Sequence, residues 1–282
     1  MARRLDILSH AALSRILISS MPAADTLDIT NFTVGGMLRA GVAVRRIVRG
    51  AESLEEAADR IVRFFYDGCV DPSSGRRTTV LVRFYKTHPY ADLPLDLKLF
   101  ADRNIETDQA FPGMRCLTLL ATAGDEPAWM SRHSSRGHQA IPLPSADIVR
   151  QAPMIASLIE ELGFDIEAVV HGGVLAARPG DAKTYDVFHV EDAFGSPSIP
   201  AQREFVVPYG VSSVLGFGGM LRSGELFAII LFSRAPIPTA SASRFRAIAL
   251  DVRSALYAMN EANTWVDLPS PDAPSTSAAP RS

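Results

Sequence analysis

The chain has 282 residues, 47% of them hydrophobic, with 28 Lys and Arg against 31 Asp and Glu and only two cysteines. That length and apolar share can fill a substantial core, while a formal net charge of -3 gives no electrostatic ground for nucleic acid or an anionic membrane as partner. Two thiols exclude a disulfide framework and fit a reducing compartment. No apolar run has the form of a signal peptide or reaches membrane-spanning length, so a cytoplasmic location is expected.

Residues 5–19 set Leu5, Leu8, Ala12 and Ile16 on one helical stripe, which Met21-Pro22 ends. A second helix is expected over Gly36–Val48. These first fifty residues are too few for a core of their own and read as a helical extension that packs on the main domain or on a partner subunit. The main domain is expected over 51–262. Ser53 with Glu56 forms a capping-box signature ahead of Leu54, Ala57, Ala58, Ile61, Val62 and Phe65. A strand over 80–85, a short helix over Leu95–Asp102 and a strand over Met114–Thr122 follow.

The stretch 124–144 has little core-forming pattern and reads as a functional or mobile loop. Ser145 is placed to cap a helix, Pro153 to kink it or open a second one, and Gly163 to end it. Val169-Val170 and Tyr185–Val190 read as short strands. From Phe205 the chain reads as strand, tight turn at 222–225, a continuous apolar strand over Leu226–Phe232, and an amphipathic helix with Phe245, Ile248, Ala249, Val252, Leu256 and Met259 on its apolar face. Thr239 or Ser241 is its expected cap. Residues 263–282 read as a tail, rich in Pro, Ser, Ala and Asp and expected to be disordered from Asp267 on.

Several side chains carry potential chemistry. His133, His138 and His189 together with Cys116 offer nitrogen and sulfur ligands, but their spacing is no zinc signature, so no metal is assigned. Cys116 on its strand is expected to be buried, and Cys69, following Gly68 near a loop, to be the more exposed thiol. Gly216-Phe217-Gly218-Gly219 lies inside the hairpin rather than between strand and helix, so it reads as a bulge or a close backbone approach rather than a phosphate loop. No Gly-x-Ser-x-Gly elbow occurs, and the adjacent acids Asp125-Glu126 and Glu191-Asp192 point apart, so no catalytic residue is assigned. Arg83, Trp129, Arg136, Tyr185 and Tyr209 suit an amphipathic pocket, with aromatic area and a cationic anchor. With the three histidines they form the candidate ligand-binding set; no cofactor is specified.

The order of elements predicts an α/β chain of the α+β type, one antiparallel sheet flanked by helices. The segments SLEEAADRIVRFFYDG (53–68), TTVLVRFYKT (78–87), FHVEDAFGSPSIPAQREFVVPYGVSSVLGFGGML (188–221) and ELFAIILFSR (225–234), with the terminal helix, are similar to a GAF domain. The chain also resembles the sensory region at the front of some bacterial histidine kinases. The resemblance implies small-molecule sensing, a ligand held between the sheet and the helices and loops on one side, and a homodimer formed through terminal helices. It carries over no cyclic-nucleotide residue set, no Cys-His pair for a bilin, and no cysteine cluster of the methionine-sulfoxide reductase type. With no output segment after Met259, such a sensor is expected to report to a separate signalling protein. A non-catalytic scaffold is the alternative, and a thiol- or metal-dependent enzyme the third reading.

Overall fold

Alternation of apolar residues on six strands and three- to four-residue spacing on the helices build two cores on opposite faces of one sheet. The computed structural model describes residues 26–105, 110–172, 186–257, 259 and 263–265; the helix expected over 5–19 and the tail from Asp267 lie outside them. The main elements are α1 (Val34–Ile47), α2 (Leu54–Gly68), β1 (Thr79–Pro89), α3 (Leu95–Asp102), β2 (Arg115–Gly124), β3 (Ala140–Leu143), α4 (Ala146–Arg150), α5 (Pro153–Glu161), α6 (Ile166–His171), β4 (Val187–Val190), β5 (Ser213–Met220), β6 (Leu226–Ser233) and α7 (Phe245–Tyr257). The strands lie in the order β3-β2-β1-β6-β5-β4, every neighbouring pair antiparallel. This is the α+β sheet flanked by helices that the sequence predicts.

On one face α1, α2 and α7 cover Val82, Phe84, Leu215, Phe217 and Ile229; on the other, α4, α5 and α6 cover Leu81, Tyr85, Leu119, Val214 and Ile230. β6 sits between β1 and β5 and every one of its residues is buried, as a continuous apolar run requires. Leu27, Ile29, Phe32 and Val44 join the first core, and the Ser241 hydroxyl accepts the Phe32 amide at 3.0 Å, tying residues 26–50 to the approach to α7.

The start of α2 explains its length. Ser53 Oγ accepts the Glu56 amide at 3.1 Å, Glu56 Oε2 accepts the Glu52 amide at 2.8 Å, and the carbonyls of Asn263 and Thr264 accept the amides of Leu54 and Glu55. Four of the donors at this end are thereby satisfied. Among the described residues no helix is long and apolar enough to cross a membrane.

Four expectations are corrected. Val169-Val170 belong to helix α6, because Asp165 caps it (Oδ1 accepts the Ala168 amide at 3.1 Å) and Ile166, Val169 and Val170 bury one face; packing overrides the strand preference of valine. Residues 202–209 form helical turns, and the strand begins only at Ser213. The helical turn at Thr239–Ala242 has Pro238 at its N-cap position with no side-chain cap. Cys69 is fully buried, because Leu27 bridges to it and closes over the chain there, and burial pushes its thiol pKa up. The glycine run is a close approach without a bulge. The β5–β6 register is unbroken, and a Cβ at Gly218 would collide with the Phe227 carbonyl.

Candidate functional site

Alternation along β1 turns Leu81, Arg83 and Tyr85 toward the α4–α6 face. Arg83 lies opposite Thr122 of β2 and Ile230 of β6. Its Nη1 donates to Tyr85 Oη at 3.2 Å. Its Nε and the Oγ1 of Thr122 are buried with no hydrogen-bond partner, and among the described residues Arg83 takes part in no ion pair. A cation and a hydroxyl, side by side in register on an otherwise apolar face, are thus left with unmet hydrogen-bonding capacity, which costs free energy unless something else meets it.

An aromatic group packs two residues along the same strands. Trp129, in a turn after β2, packs against Gly124, where a Cβ would lie 2.8 Å from the Trp129 side chain; Gly124 is the cross-strand partner of Leu81. Trp129 meets Phe205 and Tyr209 at centroid separations of 5.5 and 4.7 Å, and Phe205 meets Phe232 edge-on at 4.9 Å. Tyr209 Oη donates to Glu126 Oε1 at 3.0 Å, pinning the aromatic group at that end.

At the β3 edge of the sheet a groove of about 690 Å3 runs between β3, α4–α5 and the end of α3. Its apolar walls include Phe100, Ile141, Ile148 and Ile155, and its polar lining includes Arg103, Arg136 and His138, with no carboxylate among the described residues. His138 has a left-handed φ of 59°, uncommon for a residue with a side chain. Protein atoms packed around its ring, and next the Arg83 guanidinium, hold its pKa below the ordinary imidazole value, although the residue as a whole keeps an exposed surface. The neighbouring Gln139 carbonyl accepts the amide of Leu119, which sits opposite Tyr85. His138 thus lines the groove and feels the Arg83 charge, while Arg83 and Thr122 themselves do not line it.

Of the candidate residues, Arg83, Trp129, Arg136, His138 and Tyr209 lie around this sector. His133 sits elsewhere, its Nε2 3.4 Å from Glu55 Oε1, a carboxylate that Arg132 also binds at 2.6 Å. His189 is on the opposite edge strand; its Nε2 is 2.8 Å from the Ile237 carbonyl, and its amide donates to Glu161, whose pKa burial raises. It lines a separate cleft of about 470 Å3 with Asp186 and Arg246, themselves paired at 2.9 Å. Tyr185 lies outside the described residues. Thr122 and Tyr85 escaped sequence reasoning; Thr122 is one of two threonines in a mostly apolar strand, with nothing in its spacing to single it out. Cys116 is fully buried on β2 and its thiol is pushed up to about 12 by burial, so it has no nucleophilic character near neutral pH. Among the described residues no group of three His, Cys, Asp or Glu is placed to hold a metal ion.

No protein-family model matches the chain, and no curated protein matches it. Solved structures similar to it include the GAF domain from an Acinetobacter phosphoenolpyruvate-protein phosphotransferase, at 14% identity over 78% of this chain and 92% of that one, with a TM-score of 0.37. The phycoerythrobilin-bound GAF domain from a cyanobacterial phytochrome is 13% identical over 80% and 96% of the two chains, TM-score 0.38. The chromophore-binding domain of the Stigmatella aurantiaca bacteriophytochrome is 13% identical over 79% and 60%, TM-score 0.38.

Proposed function

We propose that this chain is a GAF-like sensory or regulatory module that binds a small molecule on the α4–α6 side of its sheet and performs no catalysis. The observation that carries this reading is the open groove of about 690 Å3 on that side of the sheet, near Arg83, whose Nε is buried with no hydrogen-bond partner. Buried polar groups in folded proteins nearly always have partners, and in this reading a ligand supplies what the described residues do not. The groove is within the range of small-molecule sites, roughly 300–1,000 Å3. Native mass spectrometry on protein purified from its own host, joined to titration of tryptophan fluorescence with a metabolite panel, tests the reading. A stoichiometric small molecule or a saturable Trp129 signal is expected. Folded protein that carries nothing and responds to nothing goes against it.

The module works, in this reading, as a cytoplasmic homodimer that reports to a separate signalling protein. Val34, Leu38 and Val42 form an exposed apolar stripe on α1, each more than half exposed, with Leu250 exposed on α7, the helix that α1 packs against. Such a stripe is the usual mark of an interaction face. Leu38→Asp with Val42→Asp is expected to turn a dimer into a folded monomer in light-scattering measurements. A wild-type protein that is monomeric at micromolar concentration counts against the dimer.

A further inference from the structure

We propose that residues 5–19 of the same chain dock as a helix on the exposed apolar stripe of α1, running antiparallel to it. The proposal rests on the reading of that stripe as an interaction face and names its occupant. Helix α1 buries Ala40, Ala43 and Val44 toward the sheet, yet Val34, Leu38 and Val42 on its other side are 56%, 61% and 57% exposed. A helix that is apolar on both sides is one that is covered on both.

The sequence supplies a cover of matching period and reach. Leu8, Ala12 and Ile16 repeat every four residues, as Val34, Leu38 and Val42 do, and ridges of that spacing interdigitate in the commonest class of helix packing. Each row is about 12 Å long. Laid antiparallel, Ile16 meets Val34, Ala12 meets Leu38 and Leu8 meets Val42, so the smallest side chain of one row faces the largest of the other. The attachment point sets the direction. Thr26, the first described residue, lines one cleft together with Thr33 and Gly36 at the start of α1. Residues 20–25 span at most about 20 Å, which brings Ser19 to the Val34 end, whereas a parallel course needs that link to run the length of α1 as well. So short a tether holds the segment at an effective concentration in the millimolar range, above the micromolar level at which a second copy competes. Ile7 and Ile18 fall on another side of the docked helix and give it an apolar outer face, through which the homodimer closes.

Labelling of introduced thiols in the full chain tests this, since the native Cys69 and Cys116 are both fully buried. The rate of maleimide reaction is measured for Leu38→Cys and for Val207→Cys, a position similarly exposed at 54%. Leu38→Cys is expected to react about tenfold or more slowly than Val207→Cys, at a rate that does not change on dilution. Adding Leu8→Asp with Ile16→Asp is expected to restore the faster rate, with the fold kept by circular dichroism because both described cores exclude these residues. Under mild oxidation, Ala12→Cys with Leu38→Cys is expected to form a disulfide within one chain, read by non-reducing electrophoresis.

Equal rates at Leu38→Cys and Val207→Cys overturn the proposal, as does protection that survives Leu8→Asp with Ile16→Asp. Absence of the disulfide overturns the antiparallel course. Protection lost on dilution, or a disulfide between chains, assigns the stripe to a second copy, which overturns the proposal and leaves the dimer reading standing. Protection in a protein that light scattering finds monomeric supports the proposal and removes the dimer.

Discussion

Strand β1 carries two cations three residues apart, and the fold treats them differently. Lys86 is 3% exposed, with its Nζ 3.6 Å from Glu225 Oε2 and 3.4 Å from the Thr87 carbonyl; Glu225 also takes Arg115 at 3.3 Å. Arg83, on the other face, has Tyr85 Oη as a partner, no carboxylate among the described residues and an orphaned Nε. A cation whose counter-charge is built into the fold is accounted for by folding. One with no carboxylate among the described residues is held at a cost to stability to the extent that it is shielded from water.

The contrast can be broken most sharply at the compensated end. Glu225→Gln leaves Lys86 and Arg115 without their carboxylate and is expected to cost about 3–5 kcal/mol in urea unfolding; a loss below about 1 kcal/mol would erase the distinction from Arg83.

The sealed character of that end has a pH signature through His88, two residues beyond Lys86 on the same face. His88 is 4% exposed, stacks on Trp265 at 5.0 Å and has no hydrogen bond to either ring nitrogen. Burial first, then the charges of Lys86 and Arg115, lower its pKa from 6.5 to about 2. The unfolded imidazole gains a proton below pH 6.5 while the folded one stays neutral until about pH 2, so stability falls as pH drops through that window. The expected loss is about 2 kcal/mol by pH 5 relative to pH 7. It is read as the difference between wild type and His88→Phe, which lacks this titration; parallel pH profiles for the two would show that this end is open to water.

The smallest effect compares two fully buried threonines on neighbouring strands. Thr79 Oγ1 donates to the Tyr66 carbonyl at 2.6 Å, whereas Thr122 Oγ1 has no partner. Thr79→Val is expected to lose about 1 kcal/mol in thermal unfolding, and Thr122→Val to be neutral or to gain a few tenths of a kcal/mol. A matching loss at both positions would mean that Thr122 is satisfied within the chain.

What could be read from sequence follows the range of the forces involved. The capping residues Ser53 and Glu56, the apolar spacing after them, Pro94 ahead of the helix at 95–102 and the unbroken run of β6 are local, and each element formed where its own residues placed it. Strand β3 was not legible, because four residues containing Pro142 carry no period-two signal and pair only by lying beside β2. Helix α6 was misread because β-branched valines favour a strand until Asp165 and the α4–α6 core decide otherwise. Cys69 lay beside an apparent loop, and only the distant Leu27 buries it.

By itself, then, the sequence determined the type of most elements, the two-faced sheet and a plausible inventory of polar and aromatic side chains, since backbone periodicity and capping act over a few residues. Tertiary structure decided which of them meet. The Arg83–Thr122 pair comes from the register of two strands separated by a helix and a loop, the separation of His189 from His138 comes from strand order, and His133 is drawn away to Glu55 of α2. That no described carboxylate pairs with Arg83 is a property of everything packed around it, and no short stretch of chain encodes it.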